Sequence, residues 1–390
     1  MIERLNVEQN AREIFELSQF AFQYQLTEDE LEKKRDEARR HIIWGHMENG
    51  QIAAKLHLIP LACTINGKEF KMGGISAVAT WPEHRRKGMV KDLISHALSY
   101  MKENGQVISY LHPFSVPFYR QYGWELSFNE KTYSIPIEKF NKNWQGKGYV
   151  RRISKNYQLL QAIYQDYAYR YSGTLIRDEK WWEQRILNDE STHIAVAYDE
   201  HNNPDGYILF EVKEKEFIVI EMVYRSLNGR NLLHQFIANH DSMVKKVEMV
   251  VPENDALPLL LEEPDFEQKI EPYFMARIVN VSQFLKQYPF QNTTSSNQVT
   301  LQVEDDFLPE NSGKYYLRQS DLETNVSFLP SGGKPTKKIQ CNIQQLTTML
   351  LGYSRPLELF ELGLITGDEA CVKELENMVP IQQPYFPDYF

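Results

Sequence analysis

The period of apolar and polar positions changes several times along the chain, and each change marks an element. Ile14, Phe15, Leu17, Phe20 and Phe22 recur at mostly helical spacing over residues 11–22. The charged run 28–40 reads as a second helix, with Lys33-Lys34-Arg35 on its solvated face. Asn49-Gly50 and Asn66-Gly67 predict tight hairpins, because Asn and Gly accept the positive φ of a type I′ turn. Residues 52–65 between them are apolar enough for a buried strand. Residues 70–81 form a strand of small and β-branched residues, stopped by Pro82. Leu93, Ile94, Ala97, Leu98 and Met101 then share one helical face over residues 89–101. A short strand at 107–111 and a brief helix at 117–121, ended by Tyr122-Gly123, complete the first third.

From about Val150 the same order returns. Helices are predicted over 157–171 and 181–187, strands over 193–198, 207–212 and 217–223, then a helix at 227–239 and a strand at 247–251. This is the pattern of an internal duplication. Residues 291–297 are polar and aperiodic, a linker. Short strands at 300–303, 315–317 and 326–329 and helices at 344–351 and 369–378 make a third, smaller unit. The expected class is α+β, with domains at 1–145, 146–286 and 287–390. The chain closes on Pro384-Tyr385-Phe386-Pro387-Asp388-Tyr389-Phe390, whose prolines hold it extended and whose aromatics suit it to docking.

Composition narrows the chemistry. Of 390 residues, 42 % are hydrophobic and 25 % charged, the balance of a globular protein with a sizeable core. Acidic residues outnumber basic ones, 53 to 43, for a net charge of −10, which disfavours a nucleic-acid partner and tolerates cationic substrates. Cys63, Cys341 and Cys371 offer no metal spacing and no disulfide framework. No apolar run approaches the ~18 residues of a membrane span and no apolar leader opens the chain, so a cytoplasmic location is expected.

One stretch carries chemistry: Val78-Ala79-Thr80-Trp81-Pro82-Glu83-His84-Arg85-Arg86-Lys87-Gly88-Met89-Val90-Lys91. A strand ends, a proline turns the chain, and a basic loop opens a helix. The first turn of a helix has unpartnered N–H groups and partial positive charge, which suit a pyrophosphate. Gly88 lets the backbone approach it, while Arg86, Lys87 and Lys91 add charge. The stretch is neither a P-loop nor the three-glycine dinucleotide fingerprint. Ser331-Gly332-Gly333-Lys334-Pro335-Thr336 has phosphate-loop composition without the spacing and reads as a turn. Trp181-Trp182 reads as core, and His112 as a surface or hydrogen-bonded histidine.

The Arg85-x-x-Gly88 step after a strand is similar to the acyl-CoA loop of the GCN5-related acetyltransferases. Residues 77–88, with Pro82 and His84-Arg85-Arg86, and the segment Phe118-Tyr119-Arg120-Gln121-Tyr122-Gly123-Trp124 resemble the Eis-type branch. The tandem repeat, a third unit resembling a sterol-carrier domain and an aromatic chain end agree with it. Val90 departs from the Gly or Ala of the wider family. In the second repeat, Arg225-Ser226-Leu227-Asn228-Gly229 has its glycine one place late and reads as non-catalytic.

The resemblance implies acetyl transfer from acetyl-CoA to a primary amine through a ternary complex, with no metal. The acceptor classes are polyamine, aminoglycoside-like or lysine-type amines, and relatives assemble as hexamers, so a homo-oligomer is expected. It also implies that Val78, Ala79 and Thr80 offer backbone groups to the pantetheine arm. Arg85, Arg86, Lys87, Gly88, Met89, Val90 and Lys91 would hold the phosphates, with Phe114 and Ser115 beyond the next strand completing the site. Tyr119 would be the general acid, and the main-chain carboxylate of Phe390 the general base, with Glu125 next in line. The alternatives are a non-catalytic protein that captures an apolar ligand in its C-terminal unit, and an aminoacyl transferase of the same fold.

Overall fold

The computed structural model describes residues 1–140, 143–291, 298–320, 323–329 and 338–390. Most of the polar linker and the 331–336 turn lie outside them. The two Asn-Gly pairs organise the first sheet. Asn49 and Gly50 have φ of 52° and 79°, Asn66 and Gly67 of 49° and 76°, the left-handed values a type I′ turn needs. They fold β2 (Ile42–Glu48), β3 (Gln51–Ile65) and β4 (Lys68–Thr80) into an antiparallel meander, with β1 (Ile2–Leu5) on the outer edge of β2.

Helices α1 (Val7–Phe22) and α2 (Glu28–Ala38) lie between β1 and β2. Asn6 caps α1 and a reciprocal Thr27–Glu30 box caps α2, satisfying backbone donors that would otherwise be orphaned. Helix α3 (Met89–Glu103) crosses to β5 (Ile108–Leu111), which runs parallel to β4. The predicted stripe of α3 is buried in one core with Leu56 and Leu58 of β3. Each Leu or Ile so buried stabilises the fold by ~1.5–3 kcal/mol. A short helix, α4 (Val116–Arg120), follows β5.

The remaining strands of the first two sheets are β6 (Glu125–Leu126), β7 (Asn129–Pro136), β8 (Tyr149–Ile153), β9 (His193–Tyr198), β10 (Pro204–Lys213), β11 (Glu216–Tyr224), β12 (Lys246–Val251), β13 (Glu267–Pro272) and β14 (Met275–Ile278). The first sheet runs β1-β2-β3-β4-β5-β14-β6, the second β8-β9-β10-β11-β12-β7-β13. The two orders correspond strand for strand. Each has a parallel pair bridged by a helix, α3 in one and Leu227–Ala238 in the other. The duplication is therefore real at the level of topology.

The halves also trade strands. β7, from the first half, lies between β12 and β13, while β14, from the second, lies between β5 and β6. The sheets thus do not divide at the expected 145/146 boundary, because each contains a strand from the other side of it. Residues 181–187 are also not a plain helix: one turn, Glu179–Trp181, runs into a π-helical turn, Trp182–Ile186. Trp181 and Trp182 are buried, as expected of core residues.

The third sheet is β15 (Gln298–Glu304), β16 (Gly313–Ser320), β17 (Glu323–Leu329), β18 (Ile339–Asn342) and β19 (Thr366–Gly367), in the order β17-β16-β15-β18-β19. Helices Ile343–Leu351 and Glu369–Met378 share its core, which continues into Ile59, Cys63 and Met72 of the first sheet. All three cysteines are buried. Among the described residues no helix is long and apolar enough to cross a membrane.

Candidate active site

The site begins where two parallel strands part. β4 and β5 pair only at Met72–Ile108, Gly73–Ser109 and Gly74–Tyr110. β4 then continues to Thr80, paired among the described residues only with β3, so the backbone groups on its other edge are open. A bulge assists the divergence. The β3–β4 register slips between Lys55–Ala79 and His57–Ser76, and Ala77 is held at φ 48°, a rare conformation for a residue with a Cβ.

The open edge forms one wall of a cavity of 580 Å³. Val78, Ala79, Thr80, Arg85, Arg86, Gly88, Met89, Val90, Lys91 and Phe114 line it. Of the residues read from the sequence, Lys87, Ser115, Tyr119 and Phe390 do not line it. Lys87 turns back towards Glu48, at 3.6 Å, beside His84, which is itself 2.7 Å from that carboxylate. Ala21, Phe22, His84, Phe118 and Tyr122 line the cavity without having been assigned to it. Phe22 had a visible signal as a large apolar residue at a helix end, but only the tertiary fold brings that end to this cleft.

The start of α3 is suited to an anion. Its N-cap is Gly88, at φ 81°, and no side chain caps it. First-turn N–H groups and the cations of Arg85, Arg86 and Lys91 therefore converge on the cavity. The equivalent helix of the second repeat is capped by a side chain. Ser226 accepts from the N–H groups of Asn228 and Gly229, and its hydroxyl donates to Asp205 at 2.6 Å. A Cβ at Gly229 would lie 2.3 Å from the Asp205 carbonyl oxygen, and the Asp205 carboxylate, bonded to Ser226 and Asn228, sets negative charge beside the helix start where a phosphate would lie.

Tyr119, on α4, is 3 % exposed and stands edge-on to Phe118, with ring centroids 5.2 Å apart. Burial, with the Tyr122 phenol nearby, pushes its pKa well above the ordinary value, so it keeps its proton at neutral pH. Glu125 is gripped by the Arg120 guanidinium at 2.7–3.0 Å, so both of its carboxylate oxygens are already engaged.

The chain end docks into this region. Pro384 bridges to Ser172, and Tyr385 N–H donates to the Ser172 carbonyl. Asp388 is fully buried and accepts from Arg177 Nε at 2.9 Å and Trp181 Nε1 at 2.7 Å, while Arg177 also forks onto Glu221. Burial raises the Asp388 pKa, against the pull of Arg177. Anchored there, the Phe390 ring packs on Phe274 and reaches Gly74, the last paired residue before the strands part. A Cβ on Gly74 would be 2.7 Å from Phe390 Cε2. His112 packs against Tyr389, Tyr273 and Phe274 beside this terminus. Tyr119 packs in the core shared with α3, whereas the Phe390 ring packs in the core that continues into the third sheet.

Comparison with known proteins agrees with this architecture. Residues 2–127 and 173–278 each match an acetyltransferase (GNAT) domain family, and residues 281–387 match a sterol carrier protein domain family. The N-acetyltransferase Eis of Mycobacterium tuberculosis is 22 % identical over 334 residues, covering 80 % of each chain. An uncharacterized N-acetyltransferase of Streptomyces griseus is 22 % identical over 89 % of this chain and 88 % of its own. Among solved structures, a probable N-acyltransferase from Enterococcus faecalis superposes over 100 % of this chain and 99 % of its own, with a TM-score of 0.93 and 26 % identity. Eis1 from Mycobacterium abscessus shares the fold over the full length of both chains, with a TM-score of 0.83 and 18 % identity. With tandem acetyltransferase domains, a sterol-carrier-like third domain and a terminus docked beside the split strand, the chain belongs to the Eis-type N-acetyltransferases of the GCN5-related superfamily.

Proposed function

We propose that this enzyme transfers the acetyl group of acetyl-CoA to a primary amine of the polyamine, aminoglycoside-like or lysine type, within a ternary complex. One observation carries the reading: a split strand leads into an uncapped, basic helix start in the first repeat, while the second repeat has the same helix capped by Ser226 with the Asp205 carboxylate beside it. The open β4 edge at Val78–Thr80 would hold the pantetheine arm by strand-like hydrogen bonds, and Arg85, Arg86, Lys91 and the first turn of α3 the phosphates. The acetyl thioester, when bound, supplies an activated acyl group. Tyr119 holds a proton for the departing sulfur. The Phe390 carboxylate, on the residue whose ring packs against Phe274 and Trp181, takes a proton from the attacking amine.

Titration calorimetry with CoA tests the reading. One CoA should bind per chain, and Gly88→Asp should abolish binding in a folded protein. It places a side chain at φ 81° and a carboxylate among the phosphates. Unchanged affinity would remove the loop from the site, and two equal sites would overturn the inactive second repeat.

A further inference from the structure

Alternate side chains of β3 point to opposite faces. Leu56 and Leu58 pack with α3, whereas Lys55, His57 and Ile59 face the other way. That other face is the one the chain end occupies, since Ile59 pairs with Gly74 and the Phe390 ring lies on Gly74. Lys55 is 0 % exposed and has no carboxylate against it among the described residues. Its Nζ donates to the carbonyl of Ala77, the strained residue of the bulge, at 3.2 Å, and lies 3.1 Å from His57 Nε2. The other nitrogen of that ring, Nδ1, is 3.2 Å from His41 Nδ1. His41 Nε2 in turn is 3.9 Å from Glu37 Oε1, an oxygen also held by Arg185, while Lys34 holds the other at 3.2 Å. Glu37 lines a broad groove between α2 and the second repeat. Four titratable side chains thus run from behind the cleft wall to the groove, within hydrogen-bond distance from Lys55 through His57 to His41, with Glu37 just beyond.

We infer that Lys55, His57, His41 and Glu37 form a proton exit path that serves the acetyl-transfer site. The inference rests on the transferase reading above, and the reaction balance supplies its purpose. An alkylamine arrives as an ammonium ion. As its nitrogen bonds to the acetyl carbon and the carbon–sulfur bond breaks, it gives up two protons. One ends on the thiol, and the other must leave a closed site. Lys55 collects it, His57 and His41 pass it on by accepting at one nitrogen while donating from the other, and Glu37 releases it to water.

The electrostatics suit the task. Burial alone lowers Lys55 to about 7, so its amine both takes and yields a proton near neutrality. Burial holds His41 at about 4 and His57 well below its ordinary value, so both rings keep a lone pair free. Lys34, Arg40 and Arg185 face the outer end and oppose charge on His41, while Glu37 favours it. A purely structural buried lysine would need none of the histidines beyond it.

The test compares an alkylamine with its β-trifluorinated analogue of similar shape, which is neutral at about pH 7.5 and releases no net proton. Wild type, Lys55→Met and His57→Gln are assayed for kcat on both, with CoA affinity and melting temperature. Lys55→Met puts an apolar chain of similar length where an uncompensated amine was buried, so it should fold. Both variants should lose about tenfold or more in kcat on the ammonium acceptor and less than about twofold on the neutral one, with CoA affinity unchanged. Equal losses on both acceptors, or no loss on either, would overturn the relay and leave acetyl transfer standing. A wild-type protein that acetylates neither amine and binds no CoA would overturn the transferase reading beneath it.

Discussion

Replacing Gly74 with alanine isolates the position of the chain end from everything else at the site. Gly74 is ordinary strand backbone, so alanine fits its conformation and, by restricting the unfolded chain, favours folding by roughly 0.4–1 kcal/mol. The new Cβ would lie 2.7 Å from Phe390 Cε2, 2.9 Å from Cζ and 3.1 Å from Leu61 Cδ1. Carbon atoms are best separated by ~3.5–4.0 Å, so the ring must retreat by roughly 1 Å. The strand is held on both sides by ladder bonds, whereas Phe390 is the last residue of the chain, so the tail yields. A misplacement of about 1 Å at a reacting group costs on the order of 10²-fold in rate. We therefore expect kcat to fall by about that factor while calorimetric CoA affinity stays within twofold. The melting temperature should barely change, because the alanine gain offsets part of the lost burial of one ring, worth at most ~1.5–3 kcal/mol. Pairing Gly74→Ala with Phe390→Leu, which shortens the clashing side chain, should recover part of the loss and so show coupling between the two positions. Wild-type kcat in a folded Gly74→Ala protein would refute the assignment of chemistry to the chain end.

Other expectations follow from the same geometry. Tyr119→Phe keeps the ring among Phe114, Phe118 and Trp124, so stability should hold while kcat falls ~10²–10⁴-fold; turnover within threefold of wild type would demote the phenol to packing. Asp388→Ala orphans the Trp181 N–H and removes a partner of Arg177, a loss of about 1–3 kcal/mol that should appear as faster carboxypeptidase trimming of the tail, whereas Asp388→Asn still accepts both bonds and should protect the tail. Asp388 has a raised pKa in the folded state, so its contribution is complete below the ordinary aspartate value of about 3.9 and is lost as pH rises through the raised one. Asp388→Asn should accordingly gain stability relative to wild type as pH increases over that window; parallel melting curves across the pH range would show that this carboxyl does not titrate as argued.

Much of this protein is legible from local order. Periodicity located α1 and α3, the Asn-Gly pairs placed two hairpins because few residues tolerate positive φ, and the basic loop before α3 stood out because strand, proline, cations and glycine are contiguous. The order of elements revealed the duplication, and its topology agrees strand for strand.

What local order could not supply is anything made by residues far apart. The exchange of β7 and β14 depends on which sheet edge each strand meets, and a strand's own sequence states only that it has two faces. Lys55, His57 and His41 carry no motif; only the pairing of β2, β3 and β4 and the packing of α2 line them up and bury them. The capped second site is decided in the same way, by Asp205 arriving from β10 at a helix start that reads nearly like the first. The docked terminus combines both kinds of information. Its prolines and aromatics announced that it would pack, but where it packs rests on Arg177, 211 residues away from Asp388. The physical reason is general: turns, caps and helical faces are settled by neighbours within a few residues, whereas burial, charge pairing and strand partnership are settled by whatever the folded chain brings alongside.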